Sequence, residues 1–278
     1  MTRRGYRKFG ALKMSDFIFN KEEYLTKINF NGETSVSYDF LKSIHRAQHL
    51  KIPFENFDIC LGRSIPIDPK SIFEKLIRQK RGGYCFELNG LLLLALKAFG
   101  FEARSLLRRV HLSGEPSGRS HQSILVTIED KRWLVDLGFG AESPRVPIPF
   151  VNNQPITFEN HTYRLIDSEL FGYMLQSKQE EGWKTLYSFD LNHIFDIDLK
   201  FGNHFTSTSP DSFFINARIA ALPVENGLFT LFNYRLKKVL NGKEEIIYLK
   251  DNPTYLSVLE KEFGIRLDVA YEDLKPLK

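Results

Sequence analysis

Cysteine is scarce in this sequence: only Cys60 and Cys85 occur in 278 residues. Two cysteines exclude a disulfide framework and an all-cysteine zinc site, and they favour the reducing environment of the cytoplasm. No HExxH motif or other clustered metal-ligand pattern appears, so no metal is expected. The apolar run at residues 91–96 is far shorter than the roughly 20 residues that cross a membrane. No membrane partner is expected either.

Net charge is also low once the first residues are set aside. The whole chain carries a formal charge of +4, and its first 13 residues contain five basic and no acidic side chains. The remainder is close to neutral, which argues against a nucleic-acid-binding surface. Residues 1–13 have no apolar segment like that of a secretory signal, and we predict that they form a disordered basic head.

Apolar periodicity divides the rest of the chain into three parts. Residues 14–100 show the spacing of amphipathic and buried helices. Residues 101–202 contain short segments with the pattern of β-strands, which predicts an antiparallel sheet or a small β-barrel. Residues 203–278 combine strands with a helix. The sequence therefore predicts an α+β fold whose three parts pack as one unit.

Local signals mark several of these elements. Helices are predicted to begin at Asn20 and Asp68, which resemble capping residues, and a further helix is predicted over residues 37–50, which carry an apolar face. The Asn241-Gly242 pair is a strong hairpin turn signal. Strands are predicted at residues 123–128, 133–137, 164–167, 173–177, 185–189, 229–234 and 246–249, and a further helix at residues 254–263.

The run RGGYCFELNG at residues 81–90 marks the junction between a turn and a buried helix. Apolar residues recur at helical spacing after Cys85, and Gly100 stands where a C-terminal cap would fall. Cys85 is therefore expected in the first helical turn, where the helix dipole makes a thiol easier to ionise. Glu87 opposes that ionisation. These residues alone leave two interpretations open: a reactive nucleophile or a small buried core residue.

A cysteine nucleophile needs a base, and His121 is the histidine that hairpin geometry places best. If Glu129 and Asp130 form a two-residue turn, the flanking strands pair so that His121 and Asp136 share one face. Asp136 follows an apolar run, and a buried carboxylate is costly unless it is paired. The two residues can equally be structural, and their spacing from Cys85 does not by itself decide.

An ordered set of motifs resembles the arylamine N-acetyltransferase family. The motifs are IPFEN at residues 52–56, RGGYCFELN at 81–89, the strand that contains His121, DLGFG at 136–140, and NHF at 203–205 with STSP at 207–210. Each motif is modest alone, whereas the ordered set is highly specific. Cys85, His121 and Asp136 match the family's triad without departure.

The resemblance implies a fold and a chemistry. The fold is an N-terminal helical bundle, a central antiparallel β-barrel and a C-terminal α/β lid, with a papain-like or transglutaminase-like triad between the first two parts. The chemistry is a ping-pong reaction in which Cys85 takes an acetyl group from acetyl-CoA and a small arylamine or hydrazine then accepts it. His121 would hold Cys85 as a thiolate and later accept the amine's proton, while Asp136 orients the ring.

The resemblance also suggests residues that contact the substrates. Phe54 and Phe139 match positions that line the acyl and amine pocket, although both can be ordinary core aromatics. Asn203 and Ser207 are candidates for contacting CoA, although both can be polar loop residues. The R/Q-x-x-G-x-G/A phosphate loop of the commoner acetyltransferase class is missing, so CoA must be held in another way.

Three other functions fit the same features. A related amide synthase uses the same triad to close a large ring, and a transglutaminase or cysteine protease uses it on protein substrates. A non-enzymatic CoA-binding module would keep the pocket without turnover. A requirement for acetyl-CoA separates the protein-directed enzymes from the acetyltransferase. Glu55 and Arg81 are expected to form a buried pair that braces the Cys85 loop, and Cys60 is interpreted as structural.

Overall fold

The computed structural model describes residues 17–277, so the basic head predicted at residues 1–13 lies outside the described residues. The N-terminal part is helical. Its helices are α1 (Lys21–Lys27), α2 (Tyr38–Lys51), the short α3 (Phe57–Cys60), α4 (Pro69–Phe73), which continues as a π-helical turn (Glu74–Arg78), and α5 (Cys85–Ala98). The predicted caps at Asn20 and Asp68 are confirmed, because their side chains accept hydrogen bonds from the first turns of α1 and α4, and Ser37 caps α2 in the same way.

Helix α5 runs through the centre of the helical part. Cys85 is its first residue, and the predicted stop at Gly100 is confirmed. Gly100 adopts a left-handed φ of +94°, which a residue with a side chain rarely takes. The amides of Gly100 and Phe101 donate to the carbonyls of Lys97 and Leu96, which closes the helix end.

The middle of the chain forms a nearly closed, eight-stranded antiparallel barrel in the order β5-β4-β3-β2-β9-β8-β7-β6. Its interior is filled by apolar side chains, among them Leu106, Leu125 and Leu175, which are almost wholly excluded from solvent. The strands are β2 (Glu102–Val110), β3 (Arg119–Ile128), β4 (Lys131–Val135), β5 (Ile148–Pro149), β6 (Ile156–Phe158), β7 (His161–Ser168), β8 (Gly172–Gln179) and β9 (Gly182–Phe189), while β1 (Phe54–Glu55) belongs to another sheet.

The β3–β4 hairpin has the predicted register. Glu129 and Asp130 form a two-residue turn with φ of +49° and +63°, and Ile128 pairs with Lys131. Positive φ at both turn residues matches the twist of the flanking strands. The ladder ends at the Ile124–Val135 pair, so Asp136 lies in the chain that leaves β4.

The C-terminal part is a five-stranded antiparallel sheet in the order β1-β10-β11-β12-β13, with helices beside it. The Asn241-Gly242 turn is confirmed and joins β12 to β13, but residues 229–234 lie mostly in β11, one strand earlier than predicted. The elements are α6 (Asp196–Thr208), β10 (Ile219–Val224), β11 (Gly227–Phe232), β12 (Arg235–Leu240), β13 (Lys243–Tyr248) and α7 (Thr254–Phe263).

The part boundary predicted between residues 202 and 203 falls inside α6. Asp198 begins this helix by accepting a hydrogen bond of 2.8 Å from the Phe195 amide. Asn203 and Ser207 therefore lie on a helix rather than in a loop.

Within residues 17–277, no helix is both long and apolar enough to cross a membrane. The cytoplasmic location expected from the cysteine content stays a prediction.

Candidate active site

Cys85 lies where α5 packs against β3. The residue is 3% exposed, and its Sγ is 4.0 Å from the carbonyl oxygen of Ser120, the residue that precedes His121. The helix start is held by Glu87, whose carboxylate accepts a hydrogen bond of 3.1 Å from the Tyr84 amide. The predicted position in the first helical turn is confirmed, and the packing brings that turn against β3.

His121 and Asp136 are brought together as the hairpin count predicts. The ring Nε2 of His121 lies 2.7 Å from Oδ2 of Asp136, and Asp136 is completely buried. An ionised carboxylate can only accept a hydrogen bond, so Nε2 of His121 must carry a proton. In the neutral ring, the lone pair then lies on Nδ1. That nitrogen is then free to take up a proton on the side away from Asp136.

Asn89 connects the two halves of the site, and sequence reasoning missed it. Its Nδ2 donates to Oδ1 of Asp136 at 2.9 Å and to the Gln122 carbonyl at 2.7 Å, and its Oδ1 accepts from the Leu137 amide at 2.9 Å. Its spacing from Cys85 could have indicated this role. Residues four apart lie on the same face of a helix, and Asn89 follows Cys85 by four. A polar side chain on that buried face needs partners.

Gly138 allows the chain after β4 to approach the start of α5. A Cβ atom on Gly138 would lie 2.5 Å from Cα and 3.0 Å from Cβ of Cys85. The Gly138 amide donates to Oδ1 of Asp136 at 2.9 Å. Only a residue without a side chain lets the chain come this close to Cys85 at position 138.

Burial raises the pKa of the Cys85 thiol to about 12, and the carboxylates of Asp136 and Glu87 act in the same direction. The backbone N–H groups of Gln122 and Phe86 face the sulfur and offset part of this rise. A thiolate at neutral pH therefore requires a neighbouring cation, as the sequence interpretation assumed when it assigned that role to protonated His121.

The pKa of Asp136 is shifted the other way. Burial alone would raise the pKa of this carboxyl, but the charge and hydrogen bond of His121 lower it below its ordinary value, with smaller contributions from Arg108 and Asn89. Asp136 is thus held ionised in spite of its burial, and it can keep the His121 ring in one orientation.

The predicted Glu55–Arg81 pair is present and belongs to a larger network. Nε of Arg81 donates to Glu55 at 2.9 Å, and its Nη1 donates to Asp58 at 2.9 Å. Nζ of Lys75 lies 2.7 Å from both Asp58 and Glu87. The network therefore links the loop before Cys85 to the first turn of α5 through buried charges of alternating sign.

Aromatic rings pack against His121 and close to the start of α5. The Phe139 ring centroid lies 5.0 Å from the His121 ring and 5.0 Å from Tyr187. The Phe54 ring packs against Phe214 at 6.1 Å. The structure thus places Phe139 and Tyr187 against the histidine, and Phe54 against Phe214, which in turn packs on Tyr84, the residue before Cys85. No sequence motif indicated Tyr187 or Phe214.

Asn203 and Ser207 are engaged in internal hydrogen bonds. The buried Asn203 side chain donates to the Ile65 carbonyl at 2.9 Å and accepts from the Tyr84 hydroxyl, and Ser207 donates to the Asn203 carbonyl at 2.8 Å. These bonds fasten α6 to the residue that precedes Cys85. No group of three or more His, Cys, Asp or Glu side chains in the described part of the chain is placed to hold a metal ion.

A buried cysteine at a helix start, packed on the strand that carries a histidine oriented by a carboxylate, is the side-chain set of acyl-transfer enzymes with a thiol nucleophile. A sequence profile of the N-acetyltransferase family matches residues 37–271, which is most of the chain. The protein therefore belongs to the arylamine N-acetyltransferase family and is an acyltransferase, as the motif resemblance suggested.

Individual relatives agree with this assignment. The arylamine N-acetyltransferase of Escherichia coli is 36% identical over 89% of this chain and 89% of its own length. The solved structure of the Salmonella typhimurium enzyme superposes with a TM-score of 0.86 at 31% identity, covering 91% of this chain and 96% of that one. The Mycobacterium marinum enzyme in complex with CoA also gives a TM-score of 0.86, at 29% identity, covering 92% of this chain and 97% of that chain.

Proposed function

We propose that this protein transfers an acetyl group from acetyl-CoA to small arylamines and hydrazines through an acetyl-Cys85 intermediate. The observation that carries the proposal is the 2.7 Å contact between Nε2 of His121 and Oδ2 of Asp136. Since that contact leaves Nδ1 as the basic nitrogen, and Cys85 lies beside the residue before His121, the three side chains can act as one unit.

In the first half-reaction, His121 already carries the thiol proton of Cys85, and the thiolate sulfur attacks the carbonyl carbon of acetyl-CoA. The tetrahedral intermediate then collapses, the bond from carbon to the CoA sulfur breaks, and His121 returns the proton to the departing thiolate. The N–H groups of Gln122 and Phe86 that face the sulfur offset part of the cost of its negative charge. The products are acetyl-Cys85 and CoA.

In the second half-reaction, the amine nitrogen attacks the acetyl carbon of the thioester. Nδ1 of His121 accepts the proton that the nitrogen loses, and this proton returns to the Cys85 sulfur as the carbon–sulfur bond breaks. Asp136 stabilises the charged ring while it carries the proton. The products are the acetylated amine and the free enzyme.

The aromatic rings define the acceptor class in this proposal. Phe139, which packs on His121, and Phe54, which packs on Phe214, would hold a flat aromatic amine with its nitrogen towards Cys85. We propose CoA as the leaving group because the Mycobacterium marinum relative is a complex with CoA. Asn203 and Ser207 bond within the fold, so we assign them to holding α6 in place rather than to gripping CoA.

The decisive test is the intact mass of the protein after incubation with acetyl-CoA in the absence of amine. One acetyl group is expected on the wild type and none on Cys85→Ala. Cys60→Ala is the matched control, since Cys60 is also buried and burial raises its pKa to about 12 as well. Acetylation that persists in Cys85→Ala would refute the proposal. Acetyl-CoA that is never consumed would instead favour the transglutaminase or protease alternative.

A further inference from the structure

Arg108 is a completely buried cation beside the candidate triad. Its side chain is 0% exposed. It lies on β2 directly opposite His121 on β3, and residues that face each other across an antiparallel pair point to the same side of the sheet. The guanidinium carbon lies 4.6 Å from the Tyr187 ring centroid and 4.0 Å from that of Phe189.

The guanidinium of Arg108 lacks the partners that a buried charge normally has. Nε donates to the Ser123 hydroxyl, but Nη1 and Nη2 have no hydrogen-bond partner among residues 17–277. In the same part of the chain, no carboxylate forms an ion pair with it within 4.0 Å. Burying a charge is expensive, and the two aromatic faces offset only part of the cost.

Asp136 is the carboxylate whose charge acts on Arg108. Ser123, which anchors Arg108, and Asp136 are each the next residue beyond the last β3–β4 pair, and Asp136 is also completely buried. Burial lowers the pKa of Arg108, and the charge of Asp136 opposes that change. In turn, the charge of Arg108 lowers the pKa of Asp136.

We propose that Arg108 is a positioning residue whose permanent positive charge lowers the affinity of the Asp136–His121 pair for a proton. With Arg108 present, the charge of Asp136 is balanced while the His121 ring is neutral. Without Arg108, balance is reached only when the ring is protonated. Arg108 thus keeps His121 available as a base at lower pH, an inference that rests on the proposed role of His121.

The other ionisable groups that face the pair do not change charge in the relevant pH range. His45 on α2 has its ring Nε2 3.4 Å from the Asp136 carbonyl, and burial lowers the pKa of His45 to about 4. Burial raises the pKa of Tyr187 on β9 well above its ordinary value. Cys85 on α5 has no ionisable proton once it is acetylated. The second half-reaction therefore reports on the Asp136–His121 pair.

The test follows the rate at which an aromatic amine removes the acetyl group from pre-acetylated protein, as a function of pH. In Arg108→Met, the rate is expected to fall with decreasing pH at a pH about one unit higher than in the wild type, because a nearby cation has been removed. In the acidic part of the pH profile, the variant is then about tenfold slower than the wild type, while its maximal rate changes little. A purely structural role would instead slow the reaction by one factor at every pH.

Arg104→Met is the matched control. Arg104 lies on the same strand and the same face, but its guanidinium donates to the Leu191 and Asn192 carbonyls away from the triad. Its profile is expected to match the wild type. The proposal would be overturned if the rate of Arg108→Met fell at the same acidic pH as that of the wild type. It would also be overturned if Arg104→Met changed that pH by as much as Arg108→Met.

A stability cycle tests the charge pairing without any catalysis. Asp136→Asn leaves Arg108 buried without its countercharge, so adding Arg108→Met is expected to raise the unfolding temperature of that variant. The same change in the wild type is expected to lower it. An equal effect in both backgrounds would overturn the pairing, even if the protein proved to have another activity. Should Arg108→Met fail to fold, Arg108→Gln takes its place in both measurements.

Discussion

A single methyl group at Gly138 provides a direct test of the geometry of the site. In Gly138→Ala, the new Cβ would lie 2.5 Å from Cα of Cys85 and 2.7 Å from Nδ2 of Asn89. Non-bonded carbon atoms normally approach no closer than about 3.5–4.0 Å. The chain after β4 and the start of α5 must therefore separate by about 1 Å.

This separation moves Cys85 away from the Asp136–His121 pair. A misplacement of about 1 Å can cost about 100-fold in rate when reacting groups must be aligned. The displaced Asn89 amide would also lose its 2.9 Å hydrogen bond to Asp136, which holds the carboxylate. Overpacking of this kind costs about 1–3 kcal/mol of stability, which a folded domain usually tolerates. We therefore expect Gly138→Ala to fold and to acetylate Cys85 about 100-fold more slowly.

The assay is the time course of acetylation by acetyl-CoA, read by intact mass and paired with a thermal unfolding curve. Gly118→Ala is the control, because a Cβ on Gly118 would meet no described atom within 4 Å, and this residue lies close to the start of β3. Its rate should equal that of the wild type. A wild-type rate in Gly138→Ala would show that the close approach to Cys85 does not position the thiol.

Two further predictions follow from the charges around Cys85. Burial raises the pKa of this thiol to about 12, so fast alkylation by iodoacetamide at neutral pH requires protonated His121 beside it. We expect the wild-type rate to stay nearly level from about pH 8 to about pH 6 and to climb with pH in His121→Ala; a wild-type rate that climbs through this range would show a neutral resting thiol. Lys75→Met leaves the buried Glu87 without its 2.7 Å partner, which typically costs about 3–5 kcal/mol. Thermal unfolding should show this loss, and Lys75→Met combined with Glu87→Gln should recover part of it; no recovery would mean that the two charges are not coupled.

Much of the site could be predicted from the sequence because its signals are local. The start of α5 at Cys85 follows from an apolar helical pattern placed after a glycine pair. The register of the β3–β4 hairpin follows from the Glu129-Asp130 turn, since a two-residue turn fixes which residues face each other. That register placed His121 and Asp136 on one face without knowledge of the rest of the fold.

Other elements could not be predicted because their residues respond to distant partners. Residues 102–110 form a strand that is buried on both faces at its centre, so the alternation that marks a half-exposed strand is missing. Arg108 in that strand is completely buried, whereas the sequence alone would place an arginine at the surface. Helix α6 was missed because its first turn combines two acidic residues with exposed apolar ones, which gives no clear buried stripe.

The sequence by itself determined the ordered motifs, the helix that begins at Cys85 and the hairpin that carries His121, because backbone propensity and turn chemistry act over a few residues. Only the tertiary structure decided that α5 packs on β3, that Asn89 bridges to Asp136, and that Gly138 touches Cys85. These contacts join residues far apart in the chain. They depend on how whole elements bury their apolar faces against one another, which no local pattern encodes.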